Sequence, residues 1–137
     1  MNAAWRPEYS IGIADVDDQH KHLLGLLGRV GVLAAGVVDG RELAKVFGEL
    51  QEYAAYHFSS EEHLLHAAML PMAHAQQHLS AHRQYWRAVA QLEERLGAGD
   101  HSAAPALYKF LQHWWLDHIC RVDRELGDLI LASTKDW

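Results

Sequence analysis

Histidine is the residue type that could do chemistry in this 137-residue chain, because eleven of its residues are histidines. Neutral imidazole is the commonest protein metal ligand, and histidine is the side chain that titrates near neutral pH. Scattered histidines would indicate solvated surface, whereas histidines at helical spacing can converge on one centre. The spacing of these residues therefore decides which chemistry the sequence supports.

Several histidines and carboxylates recur four residues apart, which is the spacing that places two side chains on one face of a helix. His57 and Glu61 form one such pair. His74, His78 and His82 form a ladder at the same spacing. Both sets can direct side chains toward a single metal centre.

One further pair, His118 and Asp123, is separated by five residues, which is about 140° around an ideal helix. These two can share a site only if they straddle the inward face or if the helix is locally widened. His20 adds a histidine at the start of the first predicted helix. Four other histidines are out of phase, and a fifth lies in the loop before the fourth predicted helix. All five are predicted to be surface or capping residues: His22, His63, His66 and His113, and in the loop His101.

The set of candidates carries more weight than any member, since a single histidine on an apolar face is usually a hydrogen-bonded core residue. All four predicted helices contribute a histidine, and two also contribute a carboxylate. Burying five histidines without a metal would carry a heavy desolvation cost. A site for two cations with bridging carboxylates relieves that cost. Geometry alone predicts two transition metals with seven ligands, and neither iron nor O₂ follows from it.

Helical periodicity dominates the elements that must position these residues, and strand patterns are nearly absent. It predicts helices at about residues 17–38, 40–68, 73–96 and 103–133, preceded by an extended arm. Short links between long helices force antiparallel neighbours, so we expect an all-α, up-down-up-down antiparallel four-helix bundle. Three glycines inside the first helix are predicted to allow close backbone packing: Gly25, Gly28 and Gly31.

Composition restricts the class of protein further. Residues 1–137 fit one domain. The formal charge of −6 argues against a nucleic-acid partner. A single cysteine, Cys120, excludes an internal disulfide and a cysteine-rich zinc or iron–sulfur site. The absence of a secretory signal near the N-terminus and of an apolar run of roughly 20 residues predicts a soluble, cytoplasmic chain with no membrane partner.

Four segments resemble motifs of the bacterial hemerythrin family, in the order in which that family has them. Residues 57–62 match its H-F-x-x-E-E motif, and residues 78–85 match its H-x-x-x-H-x-x-F/Y motif. Residues 114–123 match W-x-x-x-H-I-x-x-x-D, and residues 5–20 are similar to the family's N-terminal arm and first ligand. One motif alone would be weak, but four in order are highly specific.

The resemblance implies a non-haem di-iron site in the bundle core. Three histidines would hold one iron, two would hold the other, and two carboxylates would bridge them together with an oxo or hydroxo group. In that order the residues are His78, His82 and His118; His20 and His57; and Glu61 and Asp123. The second iron would keep an open position, at which the family binds O₂ reversibly.

Two departures from the family pattern bear on the site. The stretch between Glu61 and the next histidine is about two residues longer than usual, so the pair His74/His78 competes with His78/His82. We favour the second pair, because the following helix keeps the family's register only from His82. Trp115 stands where a leucine is usual. By resemblance Trp115 and Ile119 would line the O₂ pocket, and the alternative is that Trp115 only fills the core.

Three classes of function compete. The first is a reversible O₂ carrier or store, which we expect to be monomeric and to deliver O₂ to an unidentified accepting enzyme; single-domain length favours it over an O₂ sensor. The second is a di-iron oxidase, peroxidase or NO-handling enzyme. The Glu-x-x-His pairs of ferritin-like enzymes are missing, which argues against that class. The third is a metal-free helical interaction module, which four coincident motifs disfavour.

Overall fold

The structure is a computed structural model that describes residues 4–36, 40–100 and 102–134. Over those residues every regular element is helical and no strand is present, which confirms the predicted all-α class. A 3₁₀ turn at Pro7–Tyr9 is followed by α1 (Ala14–Ala35), α2 (Gly40–Ala67), α3 (Met72–Gly97), α4 (Ala103–Asp117), a π-helical segment (His118–Asp123) and α5 (Arg124–Thr134).

Four helical rods form the bundle, because α4, the π segment and α5 run on as one rod. The first rod contacts the second and the fourth, and the third likewise contacts the second and the fourth. Helix α1 begins three residues earlier than predicted, and its predicted end at residue 38 lies outside the described residues. None of the described helices is both long and apolar enough to cross a membrane.

Each rod carries one inward stripe that changes character along its length. Toward one end of the bundle the stripe is apolar, and toward the other it is formed by the histidines and carboxylates. At this apolar end, on α1, α2 and α4, five leucines are at most 1 % exposed: Leu23, Leu27, Leu50, Leu107 and Leu111. Full burial of each such side chain stabilises the fold by about 1.5–3 kcal/mol. Packing at the apolar end therefore stabilises the fold, whereas the polar side chains lie at the other end.

The N-terminal arm is tied to the bundle at two places. Asp17 accepts hydrogen bonds from the Ile11 backbone N–H at 2.9 Å and from the Ser10 hydroxyl at 2.5 Å. The second place is Gly127 on α5, which leaves space for the arm, because a Cβ there would lie 2.3 Å from the Ile11 carbonyl oxygen. The arm is thus held to α1 through Asp17 and lies against α5 at Gly127.

The glycines of α1 behave differently from one another. A Cβ at Gly31 would lie 2.5 Å from the Tyr108 ring, as the prediction of close packing requires. A Cβ at Gly25 or Gly28 would meet nothing within 4 Å. The prediction was therefore wrong for these two, because no neighbouring atom is close enough to require a glycine at either position.

We expect Gly127→Ala to destabilise the protein by about 1–3 kcal/mol, the usual cost of overpacking a tight contact. The new methyl group would collide with backbone atoms of Ile11, which cannot rotate away as a side chain can. Gly28→Ala is the matched control, and it should stabilise α1 by about 1 kcal/mol because alanine is the better helix former. Urea unfolding followed by circular dichroism measures both, and equal effects would contradict the close approach.

Candidate metal centre

Side chains from all four rods meet in one buried cluster at the polar end of the bundle. None of the seven is more than 3 % exposed. They are the seven residues singled out from the sequence: His20, His57, Glu61, His78, His82, His118 and Asp123. Residues more than a hundred positions apart thus come within contact distance of one another.

The cluster divides into two overlapping groups that could each hold a metal ion. In each group the atoms that could ligate lie within 4.8 Å of one another. One group consists of Glu61, His78, His82 and His118, and the other consists of His20, His57, Glu61 and Asp123. Three histidines therefore face one position and two histidines face the other, with Glu61 common to both.

Asp123 lies between the two groups and turns one oxygen toward each. Its Oδ1 is 3.2 Å from Nε2 of His78 and 3.0 Å from Nε2 of His118. Its Oδ2 is 2.8 Å from Nε2 of His20 and 3.7 Å from Nε2 of His57. A carboxylate in this position has the geometry of a bridge.

Glu61 reaches both groups through a single oxygen. Its Oε1 lies 3.1 Å from Nε2 of His57, on the side with two histidines. The same atom lies 3.4 Å from Nε2 of His78, 3.3 Å from that of His82 and 3.7 Å from that of His118. Neither Oε1 nor Oε2 of Glu61 has a hydrogen-bond partner among the described residues.

Seven polar atoms at the centre are buried without a hydrogen-bond partner within the described chain. They are Nε2 of His57, His78, His82 and His118, both carboxylate oxygens of Glu61, and Oδ1 of Asp123. Each unsatisfied buried group costs about 1–3 kcal/mol. Imidazole nitrogens with carboxylate oxygens are a donor set for transition-metal ions. The residues therefore fit two bound cations, which would satisfy these atoms together.

The electrostatics of the cluster favour cations as well. Burial opposes the charged form of His57, but Glu61 and Asp123 outweigh it and raise the pKa of His57 to about 10. Burial likewise acts to lower the pKa of His78, but the two carboxylates outweigh it and raise that pKa to about 9. Burial acts to raise the pKa of Asp123, yet the surrounding histidines, His118 foremost, hold that pKa well below its usual range. The carboxylates thus stay ionised, and metal ions would displace protons from the rings.

The outer ring nitrogens of two histidines are held by neighbours of the cluster. Nδ1–H of His57 donates to Gln19 Oε1 at 2.6 Å, and Gln19 in turn donates to Ser60 Oγ at 3.1 Å. Nδ1–H of His82 donates to Glu62 Oε2 at 3.1 Å. Such contacts orient the ring with Nε2 toward a metal. Gln19 and Glu62 lie inside the family motifs, but their spacing in the sequence did not indicate that they would support the histidines.

His74 takes a different place from the other two members of its ladder. It is buried but belongs to neither group, and its Nε2 lies 3.3 Å from Nδ1 of His78. His74 Nδ1 lies 3.0 Å from Oε1 of Glu125 on α5. Sequence reasoning missed Glu125, because no local spacing links it to a histidine 51 residues away.

The π segment His118–Asp123 explains how two residues five apart reach one centre. A π-helical turn is wider than an α-helical turn, and such turns are frequently found at functional sites. The sequence left two alternatives for this pair, and the structure has the locally widened helix. His118 and Asp123 consequently meet at 3.0 Å although an unbroken α-helix would point them apart.

Aromatic rings pack against the histidines. Phe58 stacks on His82 with centroids 3.9 Å apart, and Trp114 stacks on His118 at 4.4 Å. Trp115 is 1 % exposed, lies nearly parallel to Phe58 at 5.3 Å, and is 5.9 Å from the His57 ring. Ile119 is fully buried in the same core. These contacts limit ring rotation and keep the cluster dry.

Four of the five histidines predicted to lie at the surface are described by the structure, and none of these four belongs to the cluster. His22, His63, His66 and His113 are exposed, as predicted, and His22 stacks on Tyr53 at 4.1 Å. The prediction for His101 falls outside the described residues.

Comparison with known proteins agrees with this geometry. Residues 11–130 match the family profile described as hemerythrin HHE cation binding domain. A bacteriohemerythrin of Stenotrophomonas maltophilia (strain R551-3) is 28 % identical over 133 residues, covering 97 % of this chain and 84 % of that protein. Another, of Methylococcus capsulatus (strain Bath), is 26 % identical over 127 residues, covering 91 % and 93 % respectively. Since the profile spans most of its length, the chain belongs to the hemerythrin HHE cation-binding family.

Proposed function

We propose that this chain binds two iron ions in the buried cluster and uses them to bind O₂ reversibly, as a carrier or store. The observation that carries the proposal is the unequal division of histidines around shared carboxylates. A position with three histidines is well satisfied by protein ligands, whereas a position with two leaves room for a ligand from outside. Reversible binding of a small molecule needs such a vacancy next to a second metal.

The ligands follow from the two groups. His78, His82 and His118 would hold the first ion, His20 and His57 would hold the second, and Glu61 and Asp123 would bridge them. Carboxylate bridges favour a harder ion than thiolate sites do. The cluster contains no sulfur ligand among the described residues, since Cys120 belongs to neither group. The resemblance of the four motifs to the hemerythrin family, together with membership of that family, supports iron in particular.

When bound, two ferrous ions would supply the electrons that hold O₂ reversibly. The chain's own part is to position the donors and to exclude water. Trp115 lies beside His57, on the side with two histidines, and Phe58 lies next to Trp115. This apolar wall would shield the open position from water and from external reductants. We therefore propose that Trp115 and Ile119 line the O₂ pocket.

Anaerobic reconstitution with Fe(II) followed by air tests the proposal. We expect about two iron atoms per chain, the number that a site with paired ligands implies. We also expect a visible absorption band that appears with O₂ and disappears when O₂ is removed. His113→Ala, an exposed histidine, should behave as wild type. Binding of a single metal, or continuous O₂ consumption with reductant instead of a reversible band, would contradict the proposal.

The two possible histidine registers on α3 give opposite results on mutation. His82→Ala should lose iron from the three-histidine position, because His82 Nε2 lies 3.3 Å from Glu61. His74→Ala should still take up two irons at saturating Fe(II), because His74 lies behind His78. Elemental analysis after gel filtration measures both. Loss of iron in His74→Ala with retention in His82→Ala would show that the register is wrong.

Trp115→Leu, which introduces the residue usual in the family, should open the pocket. We expect azide binding and autoxidation to become faster at unchanged iron content, because a smaller side chain admits anions and water. Stopped-flow kinetics at matched iron loading measure both rates. If Trp115 only fills the core through its contact with Phe58, the two rates stay equal to those of wild type.

A further inference from the structure

His74 and Glu125 form a hydrogen-bonded chain that leads from the surface to one of the proposed iron ligands. The His74 side chain is 3 % exposed, whereas the Glu125 side chain is 52 % exposed. The contacts are 3.0 Å from Glu125 Oε1 to His74 Nδ1 and 3.3 Å from His74 Nε2 to His78 Nδ1. Neither residue belongs to either ligand group.

Only one arrangement of ring protons satisfies the whole chain when His78 Nε2 binds a metal. The Glu125 carboxylate can only accept, so Nδ1 of His74 carries a proton and donates it. His74 Nε2 is then free to accept from Nδ1–H of His78. The two rings lie edge to face, with centroids 5.3 Å apart and planes at 75°, which suits a hydrogen bond between ring edges better than stacking.

We infer that His74 and Glu125 are positioning residues that fix the ring of His78 and strengthen it as a metal ligand. The inference rests on the proposed di-iron function. A hydrogen-bond acceptor behind a ligating imidazole fixes its tautomer and raises its basicity, and loss of such a partner costs about 10–100-fold in metal affinity. A more basic ligand favours the ferric over the ferrous state. The hydrogen bonds from His78 through His74 to Glu125 should therefore make the protein retain iron more strongly, and they should lower the midpoint potential of the iron site.

His82 and His78 differ in how their outer ring nitrogens reach a carboxylate. His82 Nδ1 contacts the carboxylate of Glu62 directly at 3.1 Å. His78 is fully buried, and its outer nitrogen reaches a carboxylate only through the second ring. The spacing of four residues on α3 places that second ring directly behind the ligand. The residue that competed with His82 as a ligand thus takes a supporting role.

Four variants and one control test the inference in the full-length protein. His74→Phe and Glu125→Ala each break the chain. His74→Gln keeps it, since a carboxamide can accept from His78 and donate to Glu125, and Glu125→Gln keeps an acceptor. Asp128→Ala removes an exposed carboxylate from the same helix α5 and controls for net charge.

Three measurements apply to each protein: iron transfer to a chelator, midpoint potential, and solvent exchange of the His74 and His78 ring protons by NMR in the metal-free protein. We expect His74→Phe to release iron about 10–100-fold more readily, in line with the loss of a supporting hydrogen bond. Its midpoint potential should rise, and the His78 ring proton should exchange faster. His74→Gln should restore most of each property, and Asp128→Ala should match wild type.

Any of four results would overturn the inference and leave the proposed function intact. If His74→Phe retains iron and potential like wild type, or if His74→Gln is as impaired as His74→Phe, His74 acts through packing alone. If Asp128→Ala shifts the potential as much as Glu125→Ala, net charge is responsible. Failure of the wild type to bind iron would instead overturn the proposed function. The ring-proton measurement needs no iron, and fast exchange there would overturn the hydrogen-bonded chain itself.

Discussion

Two ionised carboxylates buried among five histidines are the constraint on which the rest of this structure depends. Glu61 and Asp123 are fully buried, and burying a carboxylate is tolerated only when positive charge or hydrogen bonds compensate it. The surrounding rings hold the pKa of both acids well below the usual range. Seven polar atoms still lack partners in the described chain, so the compensation is complete only with bound cations.

Apolar packing in the rest of the bundle offsets the free-energy cost of burying this polar cluster. Leucine-rich packing occupies one end, and the polar cluster occupies the other, along the same inward stripes. Antiparallel rods make this possible, because the start of α1 and the end of α2 then lie at the same level. The N-terminal arm lies against α5, where Ile11 packs closely on Gly127. Packing and chemistry are thus separated along the axis of the bundle.

A layer of supporting contacts then selects ring orientations. Gln19, Glu62 and His74 each hold the outer nitrogen of one histidine and direct its inner nitrogen toward the centre. Phe58 stacks on the ring of His82, Trp114 stacks on the ring of His118, and both contacts restrict the rotation of these rings. Hydrogen bonds in a dry interior are stronger than in water, so this layer can control how firmly each ring binds a metal.

The sequence by itself predicted the helices from their periodicity and the paired ligands of α2 and α3 from spacings of four residues, because local helix geometry alone sets which side chains share a face. The family motifs added His20 and the more widely spaced pair His118 and Asp123. Within the ladder, however, His74 and His82 are equally far from His78, and only packing against α2 placed His82 beside Glu61 and His74 behind. The widened turn at residues 118–123 and the contact with Glu125 also arose only in the folded chain. The phase of one helix against another depends on distant residues, and no local spacing encodes it.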